Sequence, residues 1–329
     1  MSRQKMDDSM EQQIVNNIRQ KSLTPPVAEL AKEYDERIGI RDEYLWRWLE
    51  TIWEIVTLDC VPEERRDTVA THKTVLSMYI TVVDDLAGNL QDARSLHEAS
   101  KIPFDHTTPR LEDKGVRTDY LQFLKTVWET SESLLSEAIR ETEFRPLLEY
   151  DFRLGLMSMD YEELANTYPE MLNVPEMLHY TPHNVMMLVG ADIDLMHSPS
   201  FDRLELAAVR ETIYRSQQLC RIGNCASTWE RELLEGDLTS LVCTEALSQG
   251  LLTPEQLEEL CREPSDADLD EITNLIRQHG FETALLRWWD QRHAELLLNL
   301  PEAKSVDLEA YVQDIEVVRA YQIASAGHK

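Results

Sequence analysis

Glycine is scarce in this sequence, and its cysteines follow no recognisable spacing. Only 10 of the 329 residues are glycine, and no stretch shows sustained period-two alternation between Asn-Gly or Asp-Gly turns. The composition therefore argues against a sheet-rich fold. The five cysteines are widely spaced and form no C-x-x-C pair, so neither a disulfide framework nor a structural zinc site is expected.

Basic residues and long apolar runs are also few. The 32 lysine and arginine residues are outnumbered by 61 acidic residues, which gives a net charge of −29. Nucleic acid and anionic membranes are poor partners for such a surface, although dense carboxylates would suit a cytoplasm of high salt. There is no N-terminal apolar region and no run of 18 apolar residues. We therefore expect a cytoplasmic protein without membrane insertion.

Helical periodicity is present along nearly the whole chain. Apolar residues make up 43% of the sequence, enough for a sizeable core without covalent staples. We expect one all-α domain over residues 1–329, a bundle of roughly ten helices, with residues 1–24 as a flexible N-terminal segment. The clearest helical patterns span 43–58, 67–85, 119–139, 145–168, 201–235, 284–300 and 308–324.

An aspartate pair ends the pattern over 67–85. In "ITVVDDLAGNLQDAR" (80–94) an apolar run leads directly to Asp84 and Asp85, and Asn89 follows. Like charges at the edge of an apolar environment repel, so either solvent or a cation must relieve the pair. A helix C-terminus disfavours anions, and no lysine or arginine lies within four residues. Together with a second set of oxygen donors, the pair favours a bound cation.

That second set lies on the long helix predicted over 201–235. In "NCASTWERE" (224–232), Asn224, Thr228 and Glu232 are four residues apart. Because each residue turns the helix by about 100°, these three advance by only about 40° per step and share one face. An amide, a hydroxyl and a carboxylate form a hard-oxygen set that suits Mg²⁺ or Mn²⁺. A polar surface face is the structural alternative.

At these residues the sequence resembles the class I terpene synthases, or terpene cyclases. "DDLAGN" looks like a variant of the family's aspartate-rich motif, with Asn89 in the position of a later acidic residue. "NCASTWERE" resembles the second metal motif, which has the pattern Asn-Asp-x-x-Ser/Thr-x-x-Lys/Arg-Glu, and Arg231 matches its basic position. The following "LLEGDLTSLV" (233–242) also resembles family members. The resemblance implies a helical bundle around an apolar active-site cavity.

The resemblance also implies roles for these residues. Asp84, Asp85 and Asn89 would hold two Mg²⁺ ions, and Asn224, Thr228 and Glu232 a third, with Mn²⁺ as a possible substitute. The substrate would be a linear prenyl diphosphate, C15 or C20. Asp84, Asp85 and Arg231 would be catalytic residues in the ionisation of this substrate, and Arg231 would also bind its diphosphate. A homodimer is compatible with this assignment.

Two departures from the family pattern concern diphosphate binding. Where the family has a diphosphate-sensing arginine on a broken helix, this chain has "HYTPHN", with His179 at the sensor position. We expect Pro182 to break that helix and free a carbonyl near Leu178, and His179 to take the catalytic and diphosphate-binding role. The family's adjacent Arg-Tyr pair appears as Arg319 and Tyr321. These two point roughly 200° apart on a helix, so at most one can face the diphosphate.

Two other functions stay open. A chain-elongating prenyltransferase would need a second aspartate-rich motif where "NCASTWERE" stands. A non-catalytic helical interaction protein would have an acidic face that only mimics a metal motif. Release of diphosphate in the presence of Mg²⁺ would separate the enzymes from the interaction protein.

Overall fold

The computed structural model describes residues 8–262 and 266–328. Within them all regular secondary structure is helical, with fifteen α-helices and no strand, which confirms the predicted all-α, single-domain fold. The helices are α1 (Asp8–Gln20), α2 (Pro25–Arg37), α3 (Glu43–Ile55), α4 (Arg66–Ala87), α5 (Ala93–Ala99), α6 (Thr118–Leu135), α7 (Glu141–Thr167), α8 (Val174–His179), α9 (Met187–Met196), α10 (Leu206–Leu234), α11 (Leu241–Ser248), α12 (Pro254–Arg262), α13 (Asp266–His279), α14 (Phe281–Leu298) and α15 (Leu308–Ala324). No described helix is both long enough and apolar enough to span a bilayer.

Helix α4 is the central helix of the bundle. Seventeen of its 22 residues are buried, because α3, α6, α7 and α9 all pack against it. Its apolar side chains therefore point in every direction, as expected of a helix enclosed by neighbours. Helix α10 packs against α9, which also contacts α4, and against α14 and α15.

The N-terminal part of the chain differs from the prediction. Residues 8–20 form α1, which lies against α3 and α15. Its Ile14, Val15 and Ile18 are buried in the common core. Residues 8–20 of the predicted flexible segment 1–24 therefore form a helix whose apolar face is packed against its neighbours. Residues 1–7 lie outside the described residues.

The predicted break at Pro182 is present and explains part of the larger helix count. Helix α8 ends at His179, a 3₁₀ helix covers Thr181–Val185, and α9 starts after Met186, whose φ is +62°. Two glutamines of α10 satisfy the backbone groups freed there. Gln218 Nε2 donates to the Leu178 carbonyl at 3.1 Å, and Gln217 Oε1 accepts from the Leu188 N–H at 3.1 Å.

Candidate active site

A cavity of about 170 Å³ lies between α3, α4, α9 and α10. Helices α3 and α4 run antiparallel, since Arg41 before α3 pairs with Asp85 and Trp53 bonds to Ser77. From the mouth to the interior, the residue numbers of the lining therefore rise on α3 and fall on α4. On α4 the lining passes from Asp84 to Ser77, about 10 Å along the axis at 1.5 Å per residue. The mouth is charged, whereas the interior is mainly apolar. The apolar wall consists of Leu45, Trp48, Leu49, Ile52, Trp53, Ile80, Met159, Val185, Met186, Met187, Cys220 and Val318.

Three carboxylates from two sides of the cavity form its mouth, and we call Asp84, Glu232 and Asp237 the carboxylate rim. Burial, followed by the charges of Asp237 and Asp85, raises the pKa of Asp84 to about 6. Burial also raises the pKa of Glu232, although Arg221 opposes the shift. Like charges that face each other in this way are stabilised by a cation between them.

The oxygen ladder predicted on α10 faces this cavity. Asn224, Thr228 and Glu232 all line it, as does Arg231. The Thr228 hydroxyl donates to Glu232 Oε1 at 2.7 Å, and Asn224 Oδ1 accepts from Arg221 Nη1 at 3.2 Å. Glu232 Oε2 is buried and has no hydrogen-bond partner.

Arg221 joins the ladder to the broken helix. Its guanidinium donates to Thr181 Oγ1 at 3.1 Å, to the Thr239 carbonyl at 2.7 Å and to Asn224 Oδ1, and it lies 3.4 Å from Glu162 Oε1. The residue is 5% exposed, and it lines the cavity. A buried guanidinium with this many acceptors is held in one orientation. Arg221 therefore fixes the ladder relative to α8 and α9.

Asp85 does not face the cavity, in contrast to the prediction. Its Oδ1 accepts from Arg41 Nε at 3.0 Å and from Nη2, and the residue is 1% exposed. Arg41 lies between α2 and α3 and also contacts Glu235 at 3.3 Å, which in turn pairs with Arg231. We call Asp85, Arg41, Glu235 and Arg231 the rim ion-pair chain. The cation that relieves Asp85 comes from a distant part of the sequence, so local spacing could not indicate it.

Four further predicted site residues lie away from the cavity lining. Asn89 is in the turn after α4. His179 is exposed at the end of α8, where its ring packs against Tyr180. The guanidinium of Arg319 pairs with Asp290 and lies 3.9 Å from the centroid of the Trp289 ring. Tyr321 packs on the outer side of the core, and it is Val318 and Gln322 of α15 that face the cavity.

These positions follow from helix geometry. Because the helix breaks at Pro182, the residues of this segment that face the cavity are Asn184–Met187, which lie five or more residues beyond His179. On α15, Val318 and Gln322 are four residues apart and share one face, which leaves Arg319 and Tyr321 on its flanks. The assignment of His179, Arg319 and Tyr321 to a diphosphate site is not supported by where they lie.

Asp237 and Arg41 are charged residues of the cavity lining that the sequence prediction missed. Asp237 lies in "LLEGDLTSLV" (233–242), five residues after Glu232, and its N–H donates to the Glu232 carbonyl at 2.8 Å. That tight turn at the end of α10 brings Asp237 back beside Gly88 at the end of α4. The sequence signal for Asp237 was an acidic residue only five positions after the last residue of the ladder. Arg41 carried no comparable signal.

The donor set fits a hard divalent cation. Carboxylate, amide and hydroxyl oxygens from α4, from α10 and from the turn after it line the same cavity, and one buried carboxylate oxygen, Glu232 Oε2, has no hydrogen-bond partner. In the described part of the chain, no three His, Cys, Asp or Glu side chains stand close enough to form a ready-made metal centre. A cation would therefore have to draw the two sides of the rim together.

No family model and no curated protein matches this sequence. Solved structures do match the fold. The heptaprenyl diphosphate synthase of Staphylococcus aureus aligns over 97% of this chain and 98% of its own, with a TM-score of 0.60 and 11% identity. A polyprenyl synthase of Caulobacter crescentus, complexed with calcium and isoprenyl diphosphate, aligns over 97% and 95% with a TM-score of 0.57 and 13% identity.

A terpene synthase also has this fold. The T181N variant of cucumene synthase aligns over 92% of this chain and 96% of its own, with a TM-score of 0.52 and 12% identity. Because these identities are so low, the similarity concerns the arrangement of helices and not the chemistry. The described chain has the isoprenoid synthase fold.

Proposed function

We propose that this protein is a Mg²⁺-dependent terpene cyclase that ionises a linear C15 or C20 prenyl diphosphate and cyclises the resulting allylic cation. One observation carries the proposal: the carboxylate rim, with Arg221 and Arg231 beside it, opens onto an apolar cavity walled by Trp48 and Trp53. A prenyl diphosphate has the same division into a charged head and an apolar tail.

The rim residues have separate roles in this proposal. Asp84, Glu232 and Asp237, with Asn224 and Thr228, would hold the cations. Bound Mg²⁺ would stabilise the negative charge of the departing diphosphate. Arg231 would bind and orient the diphosphate, because it lies at the mouth with its side chain 29% exposed. Asp85 would act through Arg41, which lines the same mouth.

The apolar wall would determine what happens to the tail. Leucine, isoleucine and methionine side chains exclude water, so a cation formed in the cavity is not quenched at once. Indole faces attract positive charge, and Trp48 and Trp53 are the aromatic residues that line the cavity in the described chain. Other aromatic residues of the bundle, such as Tyr79 and Trp289, are not part of this lining.

A chain-elongating prenyltransferase is the second candidate, and the fold similarity to two prenyl synthases favours it. The two functions differ in the need for a second substrate. Elongation consumes isopentenyl diphosphate, whereas cyclisation needs only the allylic diphosphate.

The deciding experiment supplies C10, C15, C20 and C25 allylic diphosphates with Mg²⁺, with and without isopentenyl diphosphate. Released diphosphate and the hydrocarbon products are measured by a coupled assay and by mass spectrometry. Cyclic products without isopentenyl diphosphate support the cyclase. Products longer by five carbons, formed only with it, would establish the prenyltransferase instead, and no diphosphate release with any substrate would contradict both functions.

A further inference from the structure

We propose that Trp53 forms the closed end of the cavity and sets the length of isoprenoid chain that the protein accepts. The identity of the ligand as an isoprenoid rests on the proposed function, whereas the position of the closed end rests on the geometry of α3, α4 and α9.

The helix register places Trp53 at the deepest point. On α3 the lining residues run from Leu45 near the mouth to Trp53, eight residues or about 12 Å further along the axis. On α4 the deepest lining residue is Ser77. The Trp53 indole N–H donates to Ser77 Oγ at 2.8 Å, so the deepest lining residues of the two antiparallel helices are joined.

Gly190 of α9 is what allows the indole to lie there. A Cβ atom on Gly190 would stand 2.6 Å from Trp53 Cζ3 and 3.0 Å from Cη2, much closer than carbon atoms approach each other. The indole therefore occupies the space of the missing side chain. Any larger residue at position 190 must push the ring, and Ser77 and the cavity lie on its other sides.

A buried ion pair holds the third side of the ring. Lys73 Nζ lies 5.4 Å from the Trp53 ring centroid and 2.6 Å from Asp194 Oδ1, and both side chains are at most 1% exposed. Asp194 belongs to α9, as does Gly190, and Lys73 belongs to α4, as does Ser77. Since a buried pair of this kind is costly to disrupt, the helices behind the indole stay in place when the indole is shortened.

Shortening the indole should therefore deepen the cavity and not collapse it. Removing the ring system leaves room for about one five-carbon isoprene unit, because the surrounding core relaxes only in part. The preferred chain length should increase by one unit in Trp53→Ala and to a smaller extent in Trp53→Phe. Gly190→Ala, which drives the ring toward the cavity, should shorten it.

The experiment measures binding of C10 to C25 prenyl thiolodiphosphates, whose carbon–sulfur bond resists ionisation, by calorimetry with Mg²⁺. We expect the ratio of affinities for the next longer chain over the wild-type optimum to rise at least about tenfold in Trp53→Ala. Trp46→Phe is the matched control for Trp53→Phe. Trp46 lies on the same helix, is fully buried and packs against Tyr34, away from the cavity.

The outcomes separate this inference from the proposed function. Binding of geraniol, farnesol and geranylgeraniol is measured in parallel, because these alcohols carry the tail without the diphosphate. If the diphosphates fail to bind but the alcohols show the Trp53-dependent shift, the proposed function is wrong and the closed end stands. An unchanged length preference in both Trp53 variants and in Gly190→Ala would overturn the inference, and so would binding of neither series.

Discussion

Asp84 and Asp85 are neighbours in the sequence but have opposite surroundings. Asp84 faces Asp237 across the mouth, whereas Asp85 is buried against Arg41. Among the described residues Asp85 therefore has a close ion-pair partner, whereas Asp84 is only partly offset by the more distant charges of Arg41 and Arg221. Substitutions that remove their charges should change stability in opposite directions.

Asp84→Asn should stabilise the metal-free protein at neutral pH. The pKa of Asp84 is raised from 3.8 to about 6, so its ionisation lowers the free energy of unfolding. This cost is absent below about pH 4 and develops as the pH rises through 6. Without that cost, the variant should melt about 2–5 °C higher than wild type at pH 7.5. Calorimetry in chelator tests this, and the difference should vanish at pH 4. An equal difference at both pH values would contradict the charge explanation.

Asp85→Asn should instead destabilise the protein. It leaves Arg41, whose side chain is 10% exposed, with Glu235 as its one ion-pair partner among the described residues, and breaking one side of a buried ion pair costs about 3 kcal/mol. Denaturant unfolding measures the loss. Arg37→Gln, which removes an exposed arginine paired with Glu33 on α2, is the control. A more stable Asp85→Asn would show that Asp85 belongs with the unpaired rim after all.

At the scale of single elements, α10 carries both the ladder and an outward face. Glu232→Gln and Asn224→Ala should weaken Mg²⁺-dependent binding of inorganic diphosphate by about 10- to 100-fold, since each weakens or removes one oxygen ligand. Isothermal titration gives the affinities. Glu230→Gln is the matched control, because Glu230 lies on the same helix but pairs with Arg277 at the surface. Equal losses in Glu230→Gln would point to a general charge effect.

The helix break supports a second element-scale prediction. Gln217→Ala and Gln218→Ala leave the Leu188 N–H and the Leu178 carbonyl without their partners, so each should destabilise the protein by about 1 kcal/mol. His179→Ala removes an exposed side chain and should stay within about 0.5 kcal/mol of wild type. Denaturant unfolding compares the three. A pH–rate profile altered by His179→Ala would restore His179 to the site.

At the scale of the whole molecule, the main electrostatic feature is the net charge of −29. Carboxylates repel one another over the surface, and salt screens that repulsion. Raising NaCl from 0.02 to about 0.5 M should therefore increase the melting temperature at pH 7.5 by several degrees. The increase should shrink at pH 4.5, where many carboxylates are protonated. A melting temperature that falls with salt at pH 7.5 would indicate that specific ion pairs outweigh the general repulsion.

How much of the structure could be predicted from the sequence differs between these scales. Helical periodicity was sufficient for the all-α fold and for the ladder, because residues four apart share a face whatever surrounds the helix. It could not indicate that Arg41 reaches Asp85, or that Asp237 turns back toward Asp84, because both contacts depend on how distant helices pack. The break at Pro182 was predictable from proline chemistry. The direction of the chain after the break was not, and it leaves His179 exposed and outside the cavity lining.

The rim ion-pair chain has a consequence for how the protein can be handled. Arg41 supplies Asp85 with a permanent counter-ion, and Glu235 and Arg231 continue the neutralisation across the ends of α4 and α10. Folding should therefore not require a divalent ion, in contrast to small domains that fold only when their metal is bound. The protein should stay folded in chelator during purification and storage, melt at a somewhat lower temperature in excess EDTA than with Mg²⁺ because the carboxylate rim then lacks its cation, and regain diphosphate binding when Mg²⁺ is returned.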